Sequence, residues 1–358
     1  MKIIIAAGGT GGHLYPGIAI AREVLAEAGN EVLFVGTEQG IEARVLPMEG
    51  LAVRFVPVGK LKGMGIGNVL RTFITLPRSL FRSMGLLRQE RPHAVVGVGG
   101  YASGPVALAA WLLRIPLVIV EPNSYAGLAN RMAGKFAAKI FVCFPGRDTQ
   151  GFFAEKKKVL TGPLVRKGIT SGNRAQALAA FGLEPGRFTL FVMGGSGGAH
   201  ALNMAMKDAA PDLVNLSKLQ VLHQTGEKDV EDVSAGYRAA GVKAVVLPYI
   251  NDMAGAYAAA DLVVSRSGAT TVAELAVCGK RAVLIPYPFA ADNHQEYNAR
   301  SLAKRGGGEV IVQKDLTPAK LSAVIQRFLR DRDGGMSPLA STAAEEIVRA
   351  CKEYVQED

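Results

Sequence analysis

The fold is decided by KIIIAAGGTGGHLYPG, residues 2–17, where an apolar run is followed at once by a glycine-rich turn and a histidine. The same arrangement returns at FTLFVMGGSGGAH, residues 188–200. A short apolar run before glycines is typical of a buried strand that enters a helix through a tight turn. Such a turn points N–H groups and the positive end of the helix dipole at an anion. The repeat therefore predicts two similar halves, each with an anion-binding turn.

Short apolar runs alternate with helical stretches along the whole chain, and this alternation predicts an α/β protein. Runs such as AVVGVG in the first half and DLVVSR in the second indicate strands buried on both faces, as in parallel sheets. A chain of 358 residues also exceeds the usual size of a single core. We predict two Rossmann-like domains with parallel sheets facing a central cleft, over residues 1–163 and 164–339. A C-terminal helix at about 340–358 could pack back on the first domain.

Neither glycine turn carries the fingerprint of a dinucleotide-binding domain. That fingerprint is G-x-G-x-x-G, but Leu14 and His200 occupy the place of its last glycine. A nicotinamide-dependent oxidoreductase is therefore disfavoured. A third glycine-rich turn, GVGGYASGP at residues 97–105, ends another predicted strand. Because open parallel sheets bind ligands at the carboxyl ends of their strands, the three turns together predict a site for phosphorylated compounds.

The net charge of +10 is concentrated in one part of the chain. Residues 51–120 contain nine Lys and Arg but a single acidic residue, Glu90. This imbalance indicates an anionic partner, such as nucleic acid, a phosphorylated substrate or an acidic membrane, or else a basic face exposed to solvent. The three cysteines are far apart and lack metal-ligand spacing, which is typical of a reducing cytoplasm.

Six motifs, in this order, resemble those of the MurG family: GGTGGHLYPG, GVGGYASGP, EPNSYAGLANR, GGSGGAHALN, RSGATTVAEL and PFAADNHQEYNA. Members of this bacterial family transfer N-acetylglucosamine from UDP-N-acetylglucosamine to the lipid-linked muramyl-pentapeptide precursor of peptidoglycan. The resemblance covers the chain from residue 1 to about 300. It implies the GT-B glycosyltransferase fold, with the donor held mainly by the second domain, and inversion at the anomeric carbon. It also implies a role in cell-wall synthesis, cell shape and cell division.

The resemblance further implies an enzyme with no cofactor and no nucleic-acid partner, located peripherally on the cytoplasmic side of the cell membrane. No Asp-x-Asp motif follows a predicted strand, so the expected reaction needs no bound metal. Two other functions fit the same architecture. A UDP-N-acetylglucosamine epimerase would need no lipid acceptor, and a non-catalytic nucleotide-binding module would transfer nothing.

In the second half, the resemblance implies several residues that hold the donor. Ser196 is expected to donate a hydrogen bond to a phosphate, with the alternative that it only caps the helix that follows. Arg166 is expected to contact the donor, and the backbone of Ile250 to read the edge of the uracil. The turn after the strand DLVVS is expected to line the donor through the backbone N–H groups of Ala269, Thr270, Thr271, Val272 and Ala273. His294 and Gln295 are both candidates for binding the sugar hydroxyls, and the sequence does not decide between them.

Glu274 has two interpretations. Its spacing from Thr271 fits a capping box, in which the carboxylate closes the N-terminus of a helix. The resemblance instead implies a carboxylate that accepts hydrogen bonds from both ribose hydroxyls of the donor.

The first half is expected to supply the catalytic base. His13 is the candidate, since imidazole titrates near neutrality and can take the proton of the attacking 4-hydroxyl of the muramyl sugar. It could instead orient the substrate or stabilise a diphosphate. Glu121 is a second candidate base, with the alternative that it only fixes the turn after it, and His200 is expected to be structural. Contacts to the donor from this half are implied for Thr10, Gly11, Gly12 and Asn123.

Residues 68–88, NVLRTFITLPRSLFRSMGLLR, predict an amphipathic helix. Its predicted apolar side is formed by Leu70, Phe73, Ile74, Phe81, Met84 and Leu87. The other side carries a stripe of Arg71, Arg78 and Arg82. A basic face beside an apolar one suits docking on an anionic bilayer, with Trp111 as a neighbour of the patch. Alternatively, the apolar side packs on the first domain.

Overall fold

The computed structural model describes residues 1–57, 66–145, 151–214, 216, 218–331 and 335–355, and for residues 66–75 it describes the backbone only. The chain forms two compact units. The first unit is Met1–Arg166 together with Ser341–Asp358, and the second is Lys167–Ala340.

The first unit is built on one parallel sheet. Its strands are β1 (Lys2–Ala7), β2 (Glu31–Gly36), β3 (Val53–Phe55), β4 (Ala94–Gly99), β5 (Leu117–Glu121), β6 (Lys139–Val142) and β7 (Lys158–Leu160). They lie in the order β3-β2-β1-β4-β5-β6-β7, and every neighbouring pair is parallel. Strand β4 is buried along its whole length, as expected for a central strand covered on both faces.

The helices of the first unit follow these strands in sequence. They are α1 (Gly11–Leu25), α2 (Glu42–Met48), α3 (Ile66–Glu90), α4 (Ser103–Leu112) and α5 (Leu128–Ala133), with a 3₁₀ turn at Glu155–Lys157. Helix α4 packs between α3 and α5. The apolar side chains of β1, β4 and β5 meet those of α4 in one core.

Helix α3 packs through only part of the side that the sequence predicts, since Met84 and Leu87 contact the core of the first unit but Phe81 does not. Ser79, Ser83 and Leu87 are buried, whereas Phe81 is 71% exposed and lies on the outer side with Arg78 and Arg82. The small serine side chains allow a close approach, and Ser79 Oγ donates to the backbone oxygen of Pro57. The prediction that Phe81 and Leu87 share one apolar face is therefore wrong. The side chains of the remaining predicted positions at residues 70, 71, 73 and 74 lie outside the described residues.

The second unit is built on a second parallel sheet. Its strands are β8 (Phe188–Met193), β9 (Leu219–Gln224), β10 (Ala244–Leu247), β11 (Leu262–Ser265), β12 (Ala282–Leu284) and β13 (Gly308–Val310). Their order is β10-β9-β8-β11-β12-β13, again with parallel neighbours. Strands β8 and β9 are completely buried, which explains the mainly apolar sequence of β8, whereas β9 also buries polar side chains that need hydrogen-bond partners.

The helices of the second unit cover both faces of its sheet. They are α6 (Arg174–Ala180), α7 (His200–Leu213), α8 (Val230–Ala239), α9 (Met253–Ala259), α10 (Ala269–Val277), α11 (His294–Ala303) and α12 (Pro318–Arg330). Short 3₁₀ turns occupy Glu227–Asp229, Ala291–Asn293 and Gln313–Asp315. Helix α7 packs against α8 and α12 over an apolar core of this unit.

Each sheet has a point at which the order of its strands reverses. In the first unit β1 is followed by β2 and β3 on one side, and the chain then returns to place β4 on the other side. In the second unit β8, β9 and β10 are followed by β11 in the same way. This topology confirms the prediction of two Rossmann-like α/β domains, and the carboxyl ends at each reversal are where such sheets bind ligands.

The last helix returns to the first unit. Helix α13 (Ala343–Lys352) packs against α1, and just beyond it Glu353 pairs with Lys139. The two units divide after Arg166, whereas the sequence places the division after residue 163. Leu164 and Val165 are buried, so the chain stays with the first unit for slightly longer than the motif suggests. None of the described helices combines the length and the apolar composition that crossing a membrane requires.

Candidate active site

The first and third glycine turns meet at the reversal point of the first unit. Ala7 and Gly99, the last residues of β1 and β4, are paired just after a shift in the register of the two strands. A Cβ atom on Gly99 would lie 2.7 Å from Cδ2 of His13. The His13 ring therefore packs directly on the backbone at the end of β4, an approach that requires glycine at position 99.

Thr10 and His13 lie side by side at the start of α1. Thr10 is the extended residue that precedes the helix, and its Oγ1 is 3.2 Å from Nδ1 of His13. Gly11, Gly12 and His13 are half-buried. The positive end of the helix dipole lies at this turn. The structure thus brings Thr10, Gly11, Gly12 and His13 together at the carboxyl edge of the first sheet.

The turn is held by the side chain of Glu42, a residue that the sequence motifs do not indicate. This side chain on α2 is completely buried. Its Oε2 accepts a hydrogen bond of 2.9 Å from the Gly9 N–H, and its Oε1 accepts bonds of 2.8 Å from both the N–H and the Oγ1–H of Thr37. The carboxylate therefore ties the first glycine turn to the turn that follows β2.

Glu121, the second candidate base, lies at the end of β5 and is completely buried. Its carboxylate accepts hydrogen bonds from the N–H and Nδ2 of Asn123, the N–H of Gly127 and Nδ2 of Asn130, at 2.9 to 3.1 Å. Burial raises the pKa of the Glu121 carboxyl, and these donors oppose the shift. The geometry supports its alternative role of fixing the turn. Asn123 is buried there, and its side-chain amide is oriented by Glu121.

Arg166 is located in the first unit, at its boundary. Its guanidinium lies over the ring of Tyr15 on α1, 5.1 Å from the ring centroid. The motif predicts this arginine in the second domain, but it lies in the first unit, beside the helix that carries His13. The cation–π contact keeps the guanidinium near the first turn of α1.

In the second unit, three carboxyl ends lie next to one another at the reversal point. Met193, the last residue of β8, is paired with Gln224 of β9 on one side and with Ser265 of β11 on the other. Helix α7 starts after the glycine turn that follows β8, and α10 starts after the turn that follows β11. The residues that precede the two helices, Ala199 and Gly268, do not cap them with a side chain. Two positive helix ends therefore lie at one edge of the sheet.

Ser196 is exposed at the tip of the glycine turn before α7. The turn is closed by a 2.9 Å hydrogen bond from the Gly198 N–H to the Gly195 carbonyl oxygen. Gly195 has φ +100°, a conformation that side chains rarely adopt. The Ser196 hydroxyl is placed where it can donate to an anion held by the N-terminus of α7.

Ile250 is buried beyond the end of β10, and its backbone is already engaged. Its N–H donates a 2.8 Å hydrogen bond to Oε1 of Gln224. The Nε2 group of the same glutamine donates a 3.0 Å bond to the Gly195 carbonyl oxygen. The structure therefore links the glycine turn to the predicted uracil-reading segment through one side chain.

The segment from Ala269 to Ala273 forms the first turns of α10. Ala269, Val272 and Ala273 are buried, while Thr270 and Thr271 are half-buried. The helix starts after Gly268, and the Val272 N–H donates 3.0 Å to the Gly268 carbonyl oxygen. Because α10 begins at this turn, the turn provides backbone N–H groups of the kind that bind anions at helix N-termini.

Glu274 does not close the helix N-terminus. Since α10 starts at Ala269, Glu274 lies past the first turn, and the capping-box interpretation with Thr271 is wrong. Its buried carboxylate instead accepts a 2.9 Å hydrogen bond from the hydroxyl of Tyr257 on α9. This contact occupies Oε2 and orients the carboxylate.

His294 and Gln295 begin helix α11. The His294 Nδ1 donates a 2.7 Å bond to the Ala291 carbonyl oxygen, which sets the orientation of its ring. The Oε1 of Gln295 accepts a 3.0 Å bond from the N–H of Tyr287 after β12. Both side chains are half-buried at the carboxyl edge of the sheet, so the geometry leaves both as candidates for sugar hydroxyls.

His200 belongs to a hydrogen-bonded cluster behind the glycine turn. Its Nδ1 is 3.0 Å from Oδ1 of Asp229, while Oδ2 of Asp229 accepts from Nδ2 of Asn203. Asn203 Oδ1 is 3.1 Å from Nε2 of His223, whose Nδ1 is 3.0 Å from the Tyr237 hydroxyl. Burial lowers the pKa of His223 to about 3, so this imidazole is neutral at physiological pH. The cluster attaches α7 to the end of β9, consistent with a structural His200.

Comparison with known proteins identifies the family of the chain. The family model described as the glycosyltransferase family 28 N-terminal domain matches residues 3–142, and the one for the C-terminal domain matches residues 189–353. The UDP-N-acetylglucosamine–N-acetylmuramyl-(pentapeptide) pyrophosphoryl-undecaprenol N-acetylglucosamine transferase of an Anaeromyxobacter species is 46% identical over 99% of this chain and 94% of the relative. The transferase of that name from Syntrophus aciditrophicus is 44% identical over 99% of both chains. The chain belongs to the MurG family.

Solved structures agree with this membership. The crystal structure of MurG from Acinetobacter baumannii is 30% identical over 98% of this chain and 99% of that chain, with a TM-score of 0.76. The UDP-GlcNAc 2-epimerase of Neisseria meningitidis, solved with UDP-GlcNAc, covers 99% of this chain and 100% of its own. Its identity is only 12% at a TM-score of 0.66, so the likeness to epimerases concerns the fold alone.

In this MurG family member, the predicted residues fall into one group in each unit. The first group lies around the turn before α1 and the end of β5, and the second lies at the carboxyl edge formed by β8, β9 and β11. Three residues that hold these groups in place were missed by sequence reasoning: Glu42, Gln224 and Tyr257. Each is a buried polar side chain far in sequence from the group that it positions, so no local spacing indicates its partner.

Replacing Glu42 by alanine should destabilise the first unit. Three hydrogen-bond donors would lose a buried carboxylate acceptor, and each such loss costs about 1–3 kcal/mol. We expect the free energy of unfolding, measured by urea denaturation, to fall by about 3 kcal/mol or more. The control is Glu49→Ala, which removes a half-exposed carboxylate paired with Arg22 and should cost less than about 1 kcal/mol. Equal effects of the two changes would show that Glu42 does not anchor the turn.

Proposed function

We propose that this MurG family member transfers N-acetylglucosamine from UDP-N-acetylglucosamine to the 4-hydroxyl of the muramyl sugar of undecaprenyl-pyrophosphoryl-N-acetylmuramyl-pentapeptide. The reaction is an inverting glycosyl transfer in peptidoglycan synthesis. The names of its relatives, at up to 46% identity over nearly the whole chain, support both the donor and the acceptor. The epimerase alternative is supported only by a shared fold.

The structural observation that best supports a glycosyl transfer from UDP is the pair of helix N-termini at one edge of the second sheet. Negative charge builds on the diphosphate as UDP leaves the sugar. Preorganised N–H groups and helix dipoles stabilise such charge because they need no reorientation during the reaction. The turns before α7 and α10, with Ser196 between the glycines of the first, provide these groups. Glu274 binds the ribose, and Ile250 lies where the base is read.

The first unit supplies the base. The His13 imidazole removes the proton of the acceptor hydroxyl as that oxygen attacks the anomeric carbon. Its half-buried position and its contact with Thr10 support this role, because the ring is oriented yet accessible. Glu121 is less suited, since it is completely buried and its carboxylate is engaged by four donor groups.

An acceptor-dependence assay tests this function. Purified protein is incubated with UDP-N-acetylglucosamine carrying a radiolabelled sugar, with and without the lipid-linked muramyl-pentapeptide. We expect label in the lipid fraction and free UDP only when the acceptor is present. Conversion of the sugar nucleotide to its 2-epimer without acceptor would establish the epimerase instead. UDP binding with no turnover in either arm would establish a non-catalytic module.

We propose that the first unit docks on an anionic membrane surface, where a lipid-anchored acceptor is found. Exposed apolar side chains lie on helices α3, α4 and α5 and just after α5: Phe81, Trp111, Leu112, Met132 and Phe136. The Trp111 and Phe136 rings are 4.6 Å apart, so part of this surface is continuous. Exposed Arg78 and Arg82 flank Phe81 on α3. An exposed apolar patch beside basic side chains favours binding in the plane of a bilayer.

Replacing Arg78 and Arg82 together by glutamine should weaken binding to anionic vesicles. Each charge near the surface contributes about 1 kcal/mol, so the loss should be largest at low salt. Vesicle sedimentation at low and high salt measures it. The control variant carries Arg238→Gln and Arg330→Gln, which change the net charge equally on exposed helix positions of the second unit. If the Arg78/Arg82 variant sediments like the control at both salt concentrations, these two arginines are exposed to solvent but do not contribute to membrane binding.

A further inference from the structure

We propose that Gln224 is a positioning residue for the nucleotide, and that it couples the diphosphate turn to the segment that reads the base. This inference rests on the proposed function, because it assigns a role within the donor site. Gln224 ends strand β9 and is buried beside the end of β8. Its place in the sheet puts it between two segments that are otherwise separate along the chain.

The side-chain amide of Gln224 uses both of its ends. The Nε2 group donates to the Gly195 carbonyl oxygen at 3.0 Å, and Oε1 accepts from the Ile250 N–H at 2.8 Å. A side-chain amide carries both a donor and an acceptor, so this single residue can donate to one segment and accept from the other. The distance between the two segments is therefore set by one buried side chain.

The Gly195 contact controls the shape of the diphosphate turn. The carbonyl oxygen of Gly195 accepts both the Gly198 N–H and the Gln224 amide, which uses its two lone pairs. With its carbonyl held in this way, the peptide that links Gly195 to Ser196 has a fixed orientation. The N–H of Ser196 belongs to that peptide, so Gln224 fixes the direction of a donor to the phosphate without touching the nucleotide.

The contact between Gln224 and Ile250 determines which backbone hydrogen-bonding group Ile250 offers to the base. Because the Ile250 N–H is occupied by Gln224, the backbone of this residue offers a hydrogen-bond acceptor, its carbonyl oxygen. An acceptor matches the N3–H donor of uracil and opposes the unprotonated N3 of cytosine. Gln224 thus favours a uridine nucleotide over a cytidine nucleotide, through the backbone of its neighbour.

The same strand provides a matched control. Gln220 is also buried on β9, and its amide also bridges two segments. Its Oε1 accepts from the Glu184 N–H at 2.9 Å, and its Nε2 donates to the Glu184 carbonyl oxygen and to Thr189 Oγ1. These partners lie before and at the start of β8, at the opposite end of the strands from the nucleotide site. Replacing Gln220 should therefore cost comparable stability with no direct effect on the site.

The test compares Gln224→Met with Gln220→Met by calorimetric titration of UDP and CDP, with thermal melting of both variants. We expect Gln224→Met to weaken UDP binding about tenfold, a change of about 1.4 kcal/mol. We also expect the ratio of the UDP and CDP dissociation constants to move towards one. Gln220→Met should melt earlier and keep the affinities of the wild-type protein. Wild-type UDP affinity in Gln224→Met, or equal weakening in Gln220→Met, would overturn the proposal.

A second variant keeps the test decisive if Gln224→Met does not fold. Gln224→Glu retains an oxygen for the Ile250 N–H but places a carboxylate oxygen against the Gly195 carbonyl. We expect weaker UDP binding with the preference over CDP retained, and unchanged UDP affinity would contradict the positioning role. Acceptor-dependent transfer by the wild-type protein is measured in parallel. Failure of that reaction would refute the proposed function, while the binding comparison would still decide the role of Gln224.

Discussion

Replacing His13 by alanine should lower the turnover number by about 10²–10⁴-fold, the range contributed by a positioned general base. The dissociation constant of UDP should change much less, because the remaining groups of the donor site are untouched. Steady-state rates at saturating donor and acceptor, combined with calorimetric titration of UDP, measure the two quantities separately. A variant that loses mainly acceptor affinity would place His13 in acceptor binding rather than in proton transfer.

The sequence offers a matched control for this experiment. His200 follows the second glycine turn as His13 follows the first, but it pairs with Asp229 and belongs to the cluster behind that turn. We expect His200→Ala to retain most of the turnover. Equal losses in the two variants would indicate that each histidine only supports its helix N-terminus. Wild-type turnover in His13→Ala would remove His13 from the active site.

Replacing Glu274 by alanine should weaken UDP binding by roughly 1.5–3 kcal/mol, the scale of hydrogen bonds to a charged group. This corresponds to an increase in the dissociation constant of roughly 10- to 150-fold. The structure adds a second effect, since Tyr257 would lose the acceptor of its buried hydroxyl. We therefore expect the melting temperature to fall as well. Calorimetry with UDP and a thermal melt measure both consequences.

Tyr257→Phe separates binding from stability. It removes the same hydrogen bond but keeps the carboxylate, and the ring that remains at position 257 keeps the edge-on packing against Phe191. We expect this variant to lose stability similarly to Glu274→Ala and to bind UDP far better. Wild-type UDP affinity in Glu274→Ala would show that Glu274 serves only as the partner of Tyr257.

The order of strands and glycine turns was accessible to sequence reasoning because both signals are local. An apolar run that ends in glycines needs no information from elsewhere in the chain, and two such runs define the two sheets. The capping-box prediction at α10 also rested on a local signal. A capping box, however, requires that its two residues occupy the N-cap and the third position of the helix. Gly268 starts the helix early enough that Glu274 falls beyond that turn. The spacing of Thr271 and Glu274 therefore led to a wrong prediction of a capping box.

The packing of α3 was not accessible in the same way. Its apolar residues indicate a face, but the buried stripe contains Ser79 and Ser83, which composition assigns to solvent. Small polar side chains allow close helix packing and satisfy their hydroxyls locally, as Ser83 does with the Ser79 carbonyl oxygen at 2.8 Å. Phe81 is consequently left on the outer side.

The buried residues that hold the glycine turns in place could not be predicted from the sequence, for a different reason. Glu42 and Gln224 each hold a glycine turn that is distant in sequence, so their role depends on strand order rather than on spacing. One signal was available for Gln224, since a glutamine at the carboxyl end of a predicted buried strand needs partners for its amide. The identity of those partners follows only from the pairing of β9 with β8.

The anomeric configuration and linkage of the product test the central claim most directly. The protein is incubated with UDP-N-acetylglucosamine and the lipid-linked muramyl-pentapeptide, and the disaccharide released from the product is analysed by NMR. A single displacement at the anomeric carbon predicts N-acetylglucosamine joined to the 4-hydroxyl of the muramyl sugar by a β linkage. An α linkage, attachment at another hydroxyl, or an epimerised sugar nucleotide without a disaccharide would contradict the account.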